Sequence, residues 1–120
     1  MSKSKVVHTE TYRNRKIVIV RMKIEGMDEW HNGYVSVVNR LQKEQPDYEN
    51  YAEHYYGIDS LTFSGTLEQL EGLHPTWGSK WYFGFDSAHS WNDDIPTTKT
   101  KESVLKRARM LADKMVERGE

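Results

Sequence analysis

Cysteine is absent from this chain of 120 residues, so disulfide bonds and thiolate chemistry contribute nothing to its fold or its function. Long hydrophobic runs are absent too. No stretch approaches the roughly 18 consecutive apolar residues of a transmembrane helix, and the first residues lack the apolar core of a signal peptide. We therefore expect a soluble protein of a reducing cytoplasm that has no membrane partner.

The motifs that identify common enzyme classes are also missing. There is no glycine-rich phosphate loop, no pair of histidines at metal-binding helical spacing and no G-x-S-x-G elbow. The formal net charge of −1 gives no general case for DNA or RNA binding. Basic charge is concentrated near the end, however, where residues 98–118 have a balance of +4. The sequence predicts no catalytic residues and no cofactor.

Aromatic residues are what the chain has in quantity: seven Tyr, four Trp and three Phe. They supply much of the apolar area of a core in a chain with 37% hydrophobic residues. This length suits one modest core and is too short for two. We expect residues 1–120 to form a single ligand-binding domain.

Alternation of apolar residues predicts a β-hairpin near the N-terminus. Its strands run from Val6 to Tyr12 and from Ile17 to Ile24, and residues 13–16 form the turn. In the second strand, Val18 and Val20 are expected to face the core. The opposite side, which bears Ile17, Ile19 and Arg21, is expected to be partly solvated or to face a ligand.

Three further strands and one long helix complete the predicted fold. The strands are residues 34–38, 61–65 and 80–86. Residues 39–57 are expected to form an ordered loop with a turn or two of helix, beginning at Pro46. An apolar stripe from Val104 to Val116 predicts a helix that Gly119 ends. The fold class is therefore α+β: an antiparallel sheet of about five strands with one long C-terminal helix packed on it.

The segment from Trp81 to Asp94 is the best candidate for a binding site, because an aromatic strand there meets a polar stretch. Tyr82 or Phe83 could stack on a base, and Asn92 with Asp93 offers an amide and a carboxylate for base edges or ribose hydroxyls. The same pattern is also typical of an aromatic core strand followed by a polar turn.

Acidic residues around His89 leave a second interpretation open. Asp86, His89 and Asp93 could hold a divalent metal or serve acid–base chemistry. Asp residues after a strand also commonly cap turns, and a single His commonly makes a structural hydrogen bond. In the closing helix, Arg109 borders the apolar stripe, so it could reach an anion or pair with Asp113 four residues on.

Two blocks carry a resemblance to a known family. They are L-T-F-S-G at residues 61–65 and W-Y-F-G-F-D-S-A-H at residues 81–89, followed by the basic closing helix, and a G-Y-V segment precedes them at residues 33–35. This order resembles the Thoeris anti-defence family of bacteriophage proteins, which sequester cyclic ADP-ribose isomers made by bacterial TIR-domain enzymes. The chain departs from the family pattern at residues 58–60, where relatives have His-Gly-Gly.

The resemblance implies a sponge that binds a cyclic ADP-ribose isomer in the host bacterial cytoplasm without degrading it. By the resemblance, Tyr82 or Phe83 supplies the stacking surface, Asn92 and Asp93 supply polar contacts, and Arg21 and Arg109 contact the pyrophosphate. Ser64 and His89, which belong to the matching blocks, are also expected to contact the ligand. Two alternatives remain: a metal-dependent cyclic-nucleotide phosphodiesterase, and an inhibitor that binds a host defence protein.

Assembly is the last expectation. One helix covers one face of a sheet, which leaves the other face or an edge to be covered, so we expect at least a dimer with the closing helix in or next to the interface. The resemblance likewise implies a homo-oligomer, a dimer or a hexamer. Clustered copies of Arg107 and Arg109 would then form a second site for cyclic di- or trinucleotides.

Overall fold

A five-stranded antiparallel sheet with one long helix on a face organises the computed structural model, which describes residues 2–26, 28–38, 40–51, 61–87 and 99–120. The strands are β1 (Ser2–Tyr12), β2 (Arg15–Ile24), β3 (Trp30–Ser36), β4 (Leu61–Gly65) and β5 (Tyr82–Asp86), in the order β1-β2-β3-β5-β4. The helices are α1 (Arg40–Glu44), α2 (Pro75–Gly78) and α3 (Lys101–Arg118), with a 3-10 turn at Tyr48–Asn50. The predicted α+β fold class is confirmed.

The N-terminal hairpin has a tighter turn than predicted. Only Arg13 and Asn14 form it, with φ angles of 50° and 67°, which is the backbone of a two-residue turn that matches strand twist. Arg15 pairs with Tyr12 and Lys16 with Thr11. The predicted four-residue turn is wrong because strand pairing continues to the last possible residue.

The third strand begins four residues earlier than predicted. Trp30 pairs with Met22 and Asn32 with Val20, so residues with low strand propensity lie inside β3. Gly33 is needed there, because a Cβ at this position would lie 2.6 Å from Cζ of Phe85. Tertiary packing therefore overrides the breaker signal that the sequence gives around residue 33.

The main core lies between α3 and the sheet. Ile17 and Ile19 of β2 are fully buried in it, with Phe83 of β5. The helix contributes Val104, Ala108, Leu111, Ala112 and Met115. The prediction that Ile17 and Ile19 point away from the core is wrong: they face α3, and Val18 and Val20 face the other side.

That other face is covered by the chain itself. Val18, Val20, Tyr82 and Leu67 form a second buried cluster. Partly buried side chains from the connection between β4 and β5 pack against it: Leu70, Leu73 and Trp77. Each face of the sheet thus carries a buried apolar cluster, and the expectation that a second copy is needed to cover the face away from α3 is not borne out.

Local sequence signals account for the ends of α3. The Thr100 hydroxyl caps its N-terminus by accepting a hydrogen bond from Ser103 N, and Gly119 follows its last turn with a φ of 69°. In the 39–57 region, α1 precedes the predicted start at Pro46, and residues 52–60 lie outside the described residues. No helix in the described part of the chain has the apolar length needed to cross a bilayer.

Candidate functional site

The end of β5 defines the candidate site. Asp86 pairs with Asn32 of β3, and Asn32 pairs with Val20 of β2, so three strands meet here side by side. From this end the chain continues into residues 88–98. His89, Asn92 and Asp93 belong to that segment and lie outside the described residues.

His31 anchors both ends of the 88–98 segment. On the near side, Ser87 Oγ donates to the His31 carbonyl at 2.7 Å and accepts from its N–H at 3.2 Å. On the far side, His31 Nδ1 lies 2.7 Å from the Lys99 carbonyl. Because a carbonyl only accepts, Nδ1 carries a proton and donates it to Lys99. Both His31 and Ser87 are buried, so these bonds hold the segment's two ends next to the end of the sheet.

Tyr82 and Phe83 point to opposite faces of the sheet. Tyr82 is in the cluster away from α3, where its hydroxyl donates to the Trp77 carbonyl at 2.8 Å and burial raises its pKa. Phe83 is in the main core, 5.5 Å from the ring of Tyr51. Both rings are 0% exposed. In this structure neither presents a ring face for stacking on a base, and both pack as core residues.

Ser64 lies on the outer strand, β4, opposite Phe83. Its hydroxyl accepts a hydrogen bond from the Tyr48 N–H at 3.1 Å, which ties the 3-10 turn to the sheet. Two strands, β3 and β5, separate β4 from Arg21 on β2 in the sheet order. The structure therefore gives Ser64 a contact within the fold and does not bring it to Arg21.

Arg21 lies at the same end of the sheet as the anchored segment. It pairs across the strands with His31, on the face that carries α3. Its guanidinium is 3.9 Å from the carboxylate of Glu29, and both side chains are about half exposed. A contact this long and exposed is weak, so the guanidinium can turn to a phosphate at little cost.

Arg109 is engaged elsewhere. Its guanidinium donates two hydrogen bonds to the Glu10 carboxylate, at 2.9 and 2.7 Å, and lies over the Tyr12 ring. The predicted pair with Asp113 is wrong, since Asp113 accepts from Arg13 and Tyr12 instead. Glu10 pairs with Ile17 on β2, four residues before Arg21, which is about 13 Å along a strand. The two arginines proposed for one pyrophosphate are not brought together.

Arg107 and Arg109 also diverge, since two residues turn a helix by about 200°. Arg107 lies over the ring of Phe85 at 5.8 Å and donates to the Ser103 carbonyl. Its half-buried position lowers the pKa of its guanidinium. A second nucleotide site made of both residues stays a prediction that needs several copies of the chain.

One row of side chains was missed by sequence reasoning. Trp30, Asn32 and Tyr34 alternate along β3 and so share the face away from α3. The Trp30 indole N–H donates to Asn32 Oδ1 at 3.1 Å, and Asn32 Nδ2 donates to the Tyr34 hydroxyl at 3.3 Å. The Tyr34 ring meets that of Phe63 edge to face, with centroids 5.2 Å apart. The W-x-N-x-Y pattern would have revealed the row had the strand been predicted from Trp30.

Of the three residues proposed as metal ligands, Asp86 lies in the described part of the chain. Among the described residues, no group of three His, Asp or Glu side chains is placed to hold a metal ion. Asp86 is half-buried at the end of β5, and the two other proposed ligands, His89 and Asp93, lie outside the described residues.

Comparison with known proteins adds no family. No protein-family model matches the chain, and neither a search of curated proteins nor one of solved structures finds a similar protein.

Proposed function

We propose that this chain is a bacteriophage sponge that binds a cyclic ADP-ribose isomer whole, in the host bacterial cytoplasm, and keeps it from its immune effector. One observation carries the proposal. Both ends of the segment that bears Asn92 and Asp93 are tied to His31, at the end of the sheet where the polar row of β3 lies on one face and Arg21 of β2 on the other. A strand-borne amide and aromatic rings on one face and a weakly paired cation on the other can together hold a dinucleotide that passes around this end of the sheet.

The chemistry of the frame matches the parts of such a ligand. Arg21 offers a planar guanidinium to the pyrophosphate, which bidentate hydrogen bonds recognise well. Asn32 and Tyr34 offer polar groups to a base, and Asn92 and Asp93 are candidates for base edges and ribose hydroxyls. A sponge needs no reaction: affinity and copy number suffice to lower the free concentration of a signal.

The proposal is tested by recovering the ligand. We expect protein incubated with a cyclic ADP-ribose isomer and freed of unbound nucleotide to release the same molecule when it is precipitated by heat. Chromatography of the supernatant identifies what is released. A hydrolysed product would instead support the phosphodiesterase alternative, and the absence of any nucleotide would support an inhibitor that binds a host protein.

A substitution at Arg21 tests the frame. Arg21→Gln should weaken binding about 10- to 150-fold, because hydrogen bonds to a charged group are worth about 1.5–3 kcal/mol. Arg40→Gln is the matched control, since Arg40 is 74% exposed and pairs with Glu44 on its own helix. Calorimetry with the same nucleotide compares the two. Equal affinities would remove Arg21 from the site.

A further inference from the structure

We infer that the side-chain amide of Asn32 reads the base of the ligand, accepting a hydrogen bond from the exocyclic amino group of adenine and donating one to its ring nitrogen N7. The inference rests on the proposed function and assigns a specificity-determining residue to its site. An Asn amide matches these two adenine atoms because it presents one acceptor and one donor side by side.

The neighbours of Asn32 fix the orientation of its amide. An indole N–H only donates, so the amide atom facing Trp30 at 3.1 Å is the oxygen, and the nitrogen faces Tyr34. Trp30 and Tyr34 stand two residues to either side on the same face of the strand. They hold the amide from both directions along β3 and prevent it from flipping.

This arrangement leaves half of the hydrogen-bonding capacity of the amide for a ligand. A primary amide has two N–H donors and two acceptor lone pairs. The bonds to Trp30 and Tyr34 use one acceptor position and one donor. Asn32 is only half-buried, so a planar ligand can reach the remaining pair.

The charge nearby favours a base over a phosphate at this position. Asp86 lies directly opposite Asn32 on β5. A carboxylate there attracts the partly positive hydrogens of an amino group and repels a phosphate. The pKa of the neighbouring Tyr34 hydroxyl is raised by burial and by the charge of Asp86, against the effect of Asn32. Tyr34 therefore stays a neutral phenol that can accept the amide hydrogen.

A matched substitution separates ligand recognition from a purely structural role. In Asn32→Asp, Trp30 can still donate to the carboxylate, and the Tyr34 hydroxyl can turn to donate as well, so both contacts within the fold are kept. Donation to N7 of adenine is lost, since an ionised carboxylate only accepts. Asn14→Asp is the control, because it makes the same chemical change in the hairpin turn at the other end of β2.

The experiment measures dissociation constants by calorimetry at pH 8, where the new carboxylate is ionised. The probes are a cyclic ADP-ribose isomer with N6 and N7 of adenine unsubstituted, and its hypoxanthine counterpart, in which an acceptor replaces the amino group. We expect wild-type protein to prefer the adenine form by about 5- to 150-fold. Asn32→Asp should bind both probes more weakly but still prefer the adenine form, because its carboxylate accepts from the amino group and no longer donates to N7. Asn14→Asp should keep the wild-type affinity and preference.

The outcomes distinguish the inference from the function on which it rests. Equal wild-type affinity for the two probes overturns the inference, whether or not the variant folds. The fixed side-chain oxygen of Asn32 can accept a hydrogen bond from the amino group of adenine but not from the oxygen that replaces it in hypoxanthine. Undiminished affinity of Asn32→Asp for the adenine probe overturns it as well, and both results leave the sponge standing. Failure of wild-type protein to bind either probe overturns both proposals.

Discussion

Glu10 shows how single residues join the N-terminal hairpin to the closing helix. Its carboxylate accepts two hydrogen bonds from Arg109 and one from His8, and its side chain is 18% exposed. The hydrogen bonds from Arg109 are the main cause that lowers the pKa of Glu10 from 4.5 to about 2. A second contact between the same elements joins Asp113 to Tyr12 and Arg13.

Acid should weaken this contact. A lowered pKa in the folded state adds stability above the ordinary pKa of 4.5, and the gain is lost as pH falls from 4.5 towards 2. We expect Glu10→Gln to lower the free energy of unfolding at pH 7 by about 1–2 kcal/mol, since Arg109 is 45% exposed and screening reduces the effect.

Urea unfolding at pH 7, 4.5 and 2 measures this difference. The gap between wild-type protein and Glu10→Gln should shrink as the pH falls, whereas Glu71→Gln, an exposed control in the connection between β4 and β5, should follow wild type throughout. A gap that is constant with pH would contradict an ionic role for Glu10.

At the scale of elements, close approach between β3 and β5 depends on glycine. The Tyr34 ring lies against Gly84, the residue opposite it, and a Cβ at position 84 would lie 2.5 Å from Cδ1 of that ring. Gly33 makes room for Phe85 on the other face in the same way. The two glycines let one aromatic ring pack closely on each face of the central strand pair.

Gly84→Ala should therefore be destabilising by about 1–3 kcal/mol, the usual cost of overpacking a core. The extra methyl must displace Tyr34, so near-ultraviolet circular dichroism should change as well. A double-mutant cycle supplies the control: in a Tyr34→Ala background the ring is gone, and the same glycine substitution should cost much less. Additive effects would mean that the Tyr34 ring is not what Gly84 accommodates.

At the scale of the whole molecule, each face of the sheet carries a buried apolar cluster made by the chain itself. An open sheet face therefore gives no reason to expect an oligomer. Two features still favour association. First, β1 is an edge strand of 11 residues. Second, the side chain of Met110 on α3 is large, apolar and 41% exposed. Assembly of at least a dimer with α3 near the interface stays a prediction.

Light scattering coupled to size-exclusion chromatography tests that prediction. We expect the mass of at least a dimer at micromolar concentration, and Met110→Asp should shift it towards the monomer because it puts a charge into an apolar contact. Thr62→Asp, on the exposed side of β4, is the control and should leave the mass unchanged. A monomer mass for wild-type protein would contradict the prediction.

Sequence reasoning was most successful where structure depends on near neighbours in the chain. The alternation over residues 17–24, the bounds of β4 and the stop at Gly119 all follow from local periodicity or backbone conformation. Such signals need no knowledge of what packs against them. The α+β class followed from the same local patterns taken in order.

Tertiary structure alone decided which side of each strand packs under α3 and which packs under the β4–β5 connection. Residues 17 and 19 are as apolar as residues 18 and 20, so alternation could not tell the face under α3 from the face under the β4–β5 connection. Tyr82 and Phe83 are buried because both faces of β5 are covered where they lie. Arg109 contacts Glu10 because α3 crosses β1. Asn32 joins Trp30 and Tyr34 only because pairing with β2 extends β3 back to residue 30. Local sequence determined the elements, whereas contacts between residues far apart in the chain determined the faces, the ion pairs and the candidate site, because burial energy depends on the partner surface that the whole fold supplies.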